Sequence, residues 1–175
     1  MLNKIFFVPL LQIECDDWIN KKKILLDLLI DNESFIKKDG NLYTDFHNQK
    51  RKQIDVKNIF ENELEQFKNS FNFQKLHIGN SWFEKAKKNQ HHTIHNHSNY
   101  HYSAVCYISY CEQEHEPIIF VSPFNNLVYN TTMFYKPTDV KEGTIIFFPS
   151  VINHYTTPNN SEQDRLVVSF NMFVE

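Results

Sequence analysis

The hydrophobic pattern of this 175-residue chain changes from helical to β-type after about residue 71. Before that point apolar residues recur every three or four positions, whereas beyond it short runs rich in β-branched and aromatic residues are separated by turn signals. The predicted strands are 73–78, 102–110, 118–121, 127–134, 144–148 and 166–174. Many short antiparallel strands at this spacing predict a mainly β fold, a jelly roll or small barrel.

Two amphipathic helices are predicted ahead of these strands. The first covers 16–30, where Asp16 or Asp17 is available to cap the first turn, and the second covers about 56–70. A helix with one apolar stripe needs a surface to bury it against. We therefore expect both N-terminal helices to pack on the outside of one sheet.

Composition narrows the class of protein. Hydrophobic residues make up 41% and charged residues 22% of the chain, which is ordinary globular usage, and the length suits one domain. We predict a single domain over 1–175, with a helical scaffold at about 16–70 and a β core at about 71–175. The net charge of -3 gives no basic field for nucleic acid, and no apolar run is long enough to span a bilayer.

The N-terminal segment and the cysteines bear on localisation. An apolar run at 5–11 contains Pro9 and is not followed by a small-residue cleavage site, so we predict an edge strand and not a signal peptide. Cys15, Cys106 and Cys111 are too few and too irregularly spaced for a disulfide framework or a structural zinc site. These features favour a reducing compartment, the cytoplasm.

Histidines form the clearest candidate site. Five of the nine histidines lie between 91 and 101, and His95 and His97 would point to the same face of an extended strand. His154 follows a predicted strand and a turn, so it emerges at a strand end. Two histidines from one strand and one from a later strand suit a non-haem Fe(II) site, which leaves other coordination positions open. The roles of His91, His92 and His101 stay open: they would orient the metal ligands by hydrogen bonds, contact the substrate or be solvated loop residues, and we favour the last.

Arg165 begins the last predicted strand, on the same face as Ser169 and Asn171. A guanidinium among apolar strand residues needs an anionic partner, because a buried unpaired charge is costly. A dicarboxylate bound to the metal would offer its far carboxylate to Arg165, with Ser169 adding a hydroxyl. Pairing of Arg165 with a surface acid stays open as an alternative.

Taken in order, these motifs resemble the 2-oxoglutarate-Fe(II) oxygenase family found in bacteria and phages, over about 82–171. The matching stretches are His95-Asn96-His97-Ser98-Asn99, Ser103-Ala104-Val105-Cys106-Tyr107, Gly143-Thr144-Ile145-Ile146-Phe147-Phe148-Pro149-Ser150 with His154, and Arg165 with Ser169-Phe170-Asn171. The opening at 5–9 also fits how such chains begin.

The resemblance implies a double-stranded β-helix, cupin-like in topology, that uses Fe(II), 2-oxoglutarate and O₂ to hydroxylate a C–H bond. Carried over by position, His95, His97 and His154 would bind iron, and Arg165 would hold the distal carboxylate of 2-oxoglutarate. Tyr107 would add a hydroxyl to that carboxylate. The family's usual second ligand is a carboxylate where this chain has His97, so either His97 ligates or iron keeps an open position; we expect it to ligate.

Two other classes of protein stay open. Gly143, Pro149 and His154 also fit the second motif of cupins outside the 2-oxoglutarate class, although the glutamate expected after the paired histidines is absent. A metal-free jelly roll would make the histidine cluster a coincidence. The expected partners are O₂ and a small-molecule or peptide substrate, with neither a membrane nor nucleic acid, and a homodimer is left open.

Overall fold

The computed structural model describes residues 7–33, 36–48, 50–97 and 99–175. Its strands are β1 Leu11–Glu14, β2 Lys37–Asp39, β3 Leu42–Thr44, β4 Leu76–Ala86, β5 Tyr102–Ser109, β6 Ile119–Asn125, β7 Thr132–Tyr135, β8 Thr144–Pro149, β9 His154–Tyr155 and β10 Arg165–Val174. Its helices are α1 Trp18–Asn32, α2 Val56–Ile59 and α3 Glu61–Phe71. No helix of these residues is long and apolar enough to cross a membrane.

The strands form two antiparallel sheets. The major sheet has seven strands in the order β1-β8-β5-β10-β4-β3-β2, and the minor sheet has three in the order β7-β6-β9. The two sheets pack together: the ring of Phe120 on β6 lies 4.9 Å from that of Phe148 on β8. The predicted jelly-roll arrangement of antiparallel strands is confirmed.

Alternate residues of the major sheet enter two different cores. On β5 and β8, residues such as Ala104, Cys106, Ile145 and Phe147 belong to the cluster that includes the helices. Their neighbours along the strands, among them Val105, Tyr107, Ile146 and Phe148, face the minor sheet. This alternation follows from the two-residue period of a strand.

The helices cover the outer face of the major sheet, as expected from their apolar stripes. Leu25 of α1 and Phe67 of α3 are fully buried, and the Phe67 ring stacks 4.6 Å from that of Phe147 on β8. The predicted second helix is interrupted at Phe60, whose φ of -112° separates α2 from α3. Phe60 itself is buried and stacks on Phe170, so this interruption serves packing.

The predicted cap of the first helix is wrong. Asp17 occupies the N-cap position in a left-handed conformation, without a side-chain hydrogen bond to the helix backbone. Its carboxylate accepts hydrogen bonds from the side chain of Asn20 instead. Asp16 is also engaged elsewhere, because its carboxylate contacts Lys21 and Asn62.

Several strand boundaries differ from the prediction. β1 is one of the two edge strands of the major sheet, and it begins where the predicted strand at 5–11 ends. Residues 5 and 6 of that prediction lie outside the described part of the chain. β4 runs to Ala86 and not to 78, and β7 begins only at Thr132, because 127–131 form an exposed turn with Leu127 fully exposed. The hairpin β2–β3 and the short β9 were not predicted. The single-domain organisation stays a prediction.

Candidate metal centre and adjoining cavities

A backbone bridge joins the two segments that carry the candidate ligands. His95 forms an isolated antiparallel bridge with His154, in which each backbone N–H donates to the other's carbonyl, at 3.0 and 2.9 Å. The N–H of His97 donates to the carbonyl of Ser150 at 2.8 Å. The expectation that His95 and His97 share a continuous strand is wrong, since they lie in the connection between β4 and β5, and Ser98 lies outside the described residues.

The structure brings together the three predicted ligands. Ligand nitrogens of His95, His97 and His154 all lie within 4.8 Å of one another. Nδ1 of His95 donates to the carbonyl of Thr93 at 2.8 Å, and Nδ1 of His154 donates to that of Ile152 at 2.9 Å. A carbonyl only accepts, so these bonds leave the Nε2 lone pair of both rings free, as in metal-binding histidines.

The electrostatics also suit metal binding. Burial, reinforced by the neighbouring His95, lowers the pKa of His154 to about 3 and that of His97 to about 4. Burial and the nearby His92 lower the pKa of His95 as well. The three imidazoles are therefore neutral near pH 7, which is the form that binds a metal ion. Three imidazoles suit iron as well as other first-row metals.

An inner cavity lies beside this triad. The three histidines share its wall with Arg165, Ser169 and Tyr107, the residues expected at the co-substrate. Arg165 is only 5% exposed, and Nη1 donates to the Glu116 carbonyl at 2.9 Å. Arg165 makes no ion pair with the described residues, and burial lowers the pKa of its guanidinium from the usual value. The alternative, in which Arg165 pairs with a surface acid, therefore finds no partner among them.

The Tyr107 hydroxyl is oriented by the backbone. Tyr107 is 2% exposed, and its oxygen accepts a hydrogen bond from the N–H of Ile118 at 3.0 Å. Burial raises the pKa of Tyr107 to about 12, so the phenol keeps its proton. Because the oxygen accepts from the backbone, the O–H is left to donate elsewhere. Ser169 lies buried in the same wall.

Two residues of the site were missed by the sequence analysis. Glu84 on β4 lines the inner cavity; its carboxylate accepts from Trp82 Nε1 at 2.6 Å and contacts His92 Nδ1 at 3.3 Å. The His92 ring stacks on His95 with centroids 3.8 Å apart. Burial alone would raise the pKa of Glu84, but His92 and Trp82 lower it to about 2. Interpreting His92 as a solvated loop residue was wrong.

The other two histidines of the cluster behave differently from His92. The backbone N–H of His91 donates to the Asn41 carbonyl at 3.1 Å, which ties the connection to the β2–β3 hairpin. His101 is exposed, and its Nδ1 accepts from the Val174 N–H at 3.1 Å. Neither lines the inner cavity. His101 is thus solvated, the interpretation we favoured, whereas Nδ1 of His91 is buried and has no hydrogen-bond partner among the described residues.

A buried hydroxyl network supports the carbonyl that His97 contacts. Ser103 donates to Asn171 Oδ1 at 2.7 Å, and the hydroxyl of Ser150 lies 2.8 Å from that of Ser103. Since Ser103 has a single proton to give, Ser150 must donate to it. Asn171 in turn donates to Asn80 Oδ1 at 2.9 Å. The network joins β4, β5, β10 and the turn before His154.

Fold and site together define a double-stranded β-helix with three clustered histidines that could hold a metal ion and a buried cation beside them. Residues 80–171 match the family model described as "Putative 2OG-Fe(II) oxygenase". This match covers more than half of the chain, so the protein belongs to the 2-oxoglutarate-Fe(II) oxygenase family, a family of oxidoreductases. A search of curated protein sequences gives no match.

Solved structures share the fold at low sequence identity. A viral collagen prolyl hydroxylase from Paramecium Bursaria Chlorella virus-1, solved with 2-oxoglutarate, is 16% identical over 93% of this chain and 94% of its own, with a TM-score of 0.61. A Pseudomonas putida prolyl-4-hydroxylase is 11% identical over 93% and 91%, with a TM-score of 0.60. HygX from Streptomyces hygroscopicus, solved with nickel, 2-oxoglutarate and hygromycin B, is 13% identical over 95% and 83%, at 0.61. These similarities establish the double-stranded β-helix fold, and the family match favours the oxygenase over the cupin and metal-free alternatives.

Proposed function

We propose that the protein hydroxylates a C–H bond of its substrate, with Fe(II) held by His95, His97 and His154. In the reaction, 2-oxoglutarate, O₂ and the C–H bond give succinate, CO₂ and a C–O–H group. The observation that carries the proposal is the meeting of three neutral imidazoles beside a buried guanidinium that forms no ion pair with the described residues. Iron, when bound, supplies the activation of O₂ that is coupled to decarboxylation of the co-substrate.

Arg165 is the residue that holds the distal carboxylate of 2-oxoglutarate. Its contact with the Glu116 carbonyl uses one of five N–H donors, and a carbonyl does not neutralise the charge. A carboxylate does both, in a bidentate, charge-assisted pair. The Tyr107 hydroxyl, whose proton is free to donate, and the hydroxyl of Ser169 complete this end of the site.

The inner cavity has to widen when the co-substrate binds. Its volume is about 50 Å³, which is space for one or two water molecules and not for a five-carbon dicarboxylate. Its apolar walls include Val105, Phe148 and Val167. These side chains would close around the hydrocarbon part of the co-substrate and keep water away from the reacting atoms.

The proposal also includes the cellular compartment in which the protein acts. All three cysteines are free thiols, which suits the cytoplasm of a bacterial or phage-infected cell. The substrate is a small molecule or a peptide, and O₂ is the second partner.

Anaerobic loading with Fe(II), followed by addition of 2-oxoglutarate, tests the proposal. We expect one iron per chain, a change in its absorption spectrum on addition of 2-oxoglutarate, and succinate once O₂ is admitted. His154→Ala should abolish these signals, and His101→Ala, which changes an exposed histidine outside the cavity, should not. Iron binding without a response to 2-oxoglutarate would favour the cupin alternative, and no iron binding would favour a metal-free jelly roll.

A further inference from the structure

A second, outer cavity adjoins the metal centre. It measures about 230 Å³. Its walls are the β2–β3 hairpin with the start of the loop that follows it, β4, and residues 92–97 of the connection between β4 and β5. The side chains that it shares with the inner cavity are Leu42, Trp82, Glu84, His92, His95 and His97. Arg165 lines the inner cavity only. A substrate that must approach the iron while 2-oxoglutarate occupies the Arg165 end therefore has the outer cavity available to it.

An aromatic wall leads from the surface to the candidate ligands. Phe46 is 37% exposed, and its ring meets that of Trp82 edge to face, with centroids 4.9 Å apart. The ring of Trp82 lies in turn 5.5 Å from that of His97. Aromatic rings at a cavity mouth provide a rigid apolar surface, and their faces attract cations.

The outer cavity carries two carboxylates, of which the largely buried Glu84 is paired with His92 and Asp39 is largely exposed. The carboxylates of Asp39 and Glu84 line it, and among the described residues no lysine or arginine does. The partner of Asp39 is His47, at 3.0 Å, and both side chains are more than half exposed, so solvent screens this pair and a ligand can displace it. The second contact of Glu84, with His92, is long at 3.3 Å. The cavity therefore disfavours an anion and accommodates a cation.

The size of the outer cavity limits what enters it. Pockets for drug-sized ligands occupy roughly 300–1,000 Å³. A cavity of about 230 Å³ is smaller, and it admits one extended side chain and not a whole large molecule. An aliphatic stem would lie along Phe46 and Trp82, while a terminal cation would reach a carboxylate.

We propose that the outer cavity is the substrate cleft and that it takes an aliphatic side chain ending in a positively charged nitrogen, of the lysine or arginine type. This inference rests on the proposed function, because it assigns the hydroxylated C–H bond to that side chain. Phe46 and Trp82 select the chain by apolar and cation–π contact. The carboxylate of Asp39, which lines the cavity, attracts the positive charge.

The test uses the holoenzyme with Fe(II) and 2-oxoglutarate under anaerobic conditions. The probes are L-lysine, L-arginine, their N-acetyl amides, and the neutral and acidic analogues N-acetyl-norleucine amide and N-acetyl-glutamate amide. Binding is followed by the change in the Fe(II)–2-oxoglutarate absorption, and turnover by succinate release once O₂ is admitted. We expect the cationic probes to bind at least tenfold more tightly than the norleucine analogue. Comparing the affinity of the free amino acids with that of the N-acetyl amides shows whether the substrate is a free amino acid or a residue of a peptide.

Matched variants locate the binding. Phe46→Ala and Asp39→Asn should each weaken cationic probes at least fivefold and leave 2-oxoglutarate affinity unchanged. Phe173→Ala, at a similarly exposed phenylalanine, and Asp31→Asn, at an exposed acid paired with Lys52, should change neither. The inference is overturned if no cationic probe binds, or if the norleucine or glutamate analogue binds as tightly as the cationic probes. It is also overturned if Phe46→Ala and Asp39→Asn behave like their controls. If the parental protein does not bind 2-oxoglutarate, this result would instead contradict the proposed function.

Discussion

His95 and His154 are held together by reciprocal backbone hydrogen bonds of 3.0 and 2.9 Å, and their rings are tilted by 60° with centroids 4.3 Å apart. Each ring is also fixed through Nδ1 by a carbonyl two residues upstream. The positions of both free Nε2 atoms are thus set by the backbone before any metal binds. Such preorganisation lowers the entropic cost of assembling the site.

Replacement of His97 tests the number of ligands. Among the described residues no carbonyl accepts from Nδ1 of His97 as in the other two rings, but His97 lies within ligand reach of both. Loss of a residue that hydrogen-bonds to a metal ligand lowers metal affinity roughly 10- to 100-fold. Loss of a ligand itself should cost at least as much, so we expect His97→Ala to lower Fe(II) affinity by at least this factor. Anaerobic competition with a chelator measures this. Full iron affinity in His97→Ala, with His101→Ala as the control, would mean a two-histidine site.

Removal of the Arg165 guanidinium should weaken co-substrate binding. Arg165→Ala loses one strong charge-assisted interaction, about 2 to 3 kcal/mol, where about 1.4 kcal/mol is tenfold in affinity. Arg165→Lys should recover part of this loss, because the charge remains while the planar fork does not. The measurement is a titration of 2-oxoglutarate into anaerobic Fe(II)-loaded protein, in which iron affinity itself should change little.

The control for Arg165 is the chain's other arginine. Arg51 is also largely buried, but it pairs with Asp45 at 3.2 Å and lines neither cavity of the site. Arg51→Ala should lower stability and leave 2-oxoglutarate affinity unchanged. Equal affinities in the parental protein and Arg165→Ala would mean that Arg165 serves the fold alone.

The sequence predicted those strands that have one apolar and one polar face, or that are bounded by residues typical of turns. β4 was cut short because Gly79-Asn80 was interpreted as a turn signal, whereas both residues lie inside the strand. Beyond them the strand buries three consecutive residues, Ser81, Trp82 and Phe83, so the two-residue alternation is absent as well. β2 is exposed at all three positions and carries Lys37, Lys38 and Asp39, so it has no apolar pattern to detect. It is an edge strand defined by pairing with β3 and not by burial.

The clustering of the three histidines beside Arg165, Ser169 and Tyr107 was predictable, but the positions of Glu84 and His92 were not. His95, His97 and His154 were identified from residue type and spacing, although the strand geometry used to unite His95 and His97 was wrong. Glu84 and His92 depend on tertiary contact across the cavity, and no local period predicts that contact. Recognising that β4 continues to Ala86 would have placed Glu84 on the same face as Trp82.

Gly143 should tolerate substitution less well than Gly40. Both have a positive φ, of +82° and +55°, where an L side chain is strained by roughly 1–2 kcal/mol. A Cβ at Gly143 would also lie 2.8 Å from the ring of Trp18, whereas one at Gly40 meets nothing within 4 Å. Urea denaturation should therefore show a larger loss of unfolding free energy for Gly143→Ala. Equal losses would mean that Trp18 moves aside without cost.

Ser103→Ala should affect both stability and the metal centre. Ser103 is 2% exposed, and without its hydroxyl Asn171 Oδ1 loses a donor while Ser150 loses the acceptor of its own proton. A buried polar group left unsatisfied costs about 1–3 kcal/mol. Ser150 also supplies the carbonyl that holds the backbone of His97, so relaxation of Ser150 should reduce Fe(II) affinity severalfold.

Ser109→Ala is the matched control on the same strand. Among the residues that the structure describes, its hydroxyl accepts only from the exposed side chain of Gln163, at 3.1 Å. The substitution should therefore cost less than about 0.5 kcal/mol and leave the iron affinity unchanged. Urea denaturation and anaerobic iron titration of both variants give the two quantities. If Ser103→Ala loses stability but keeps parental iron affinity, the hydroxyl network serves the fold and His97 is positioned without it.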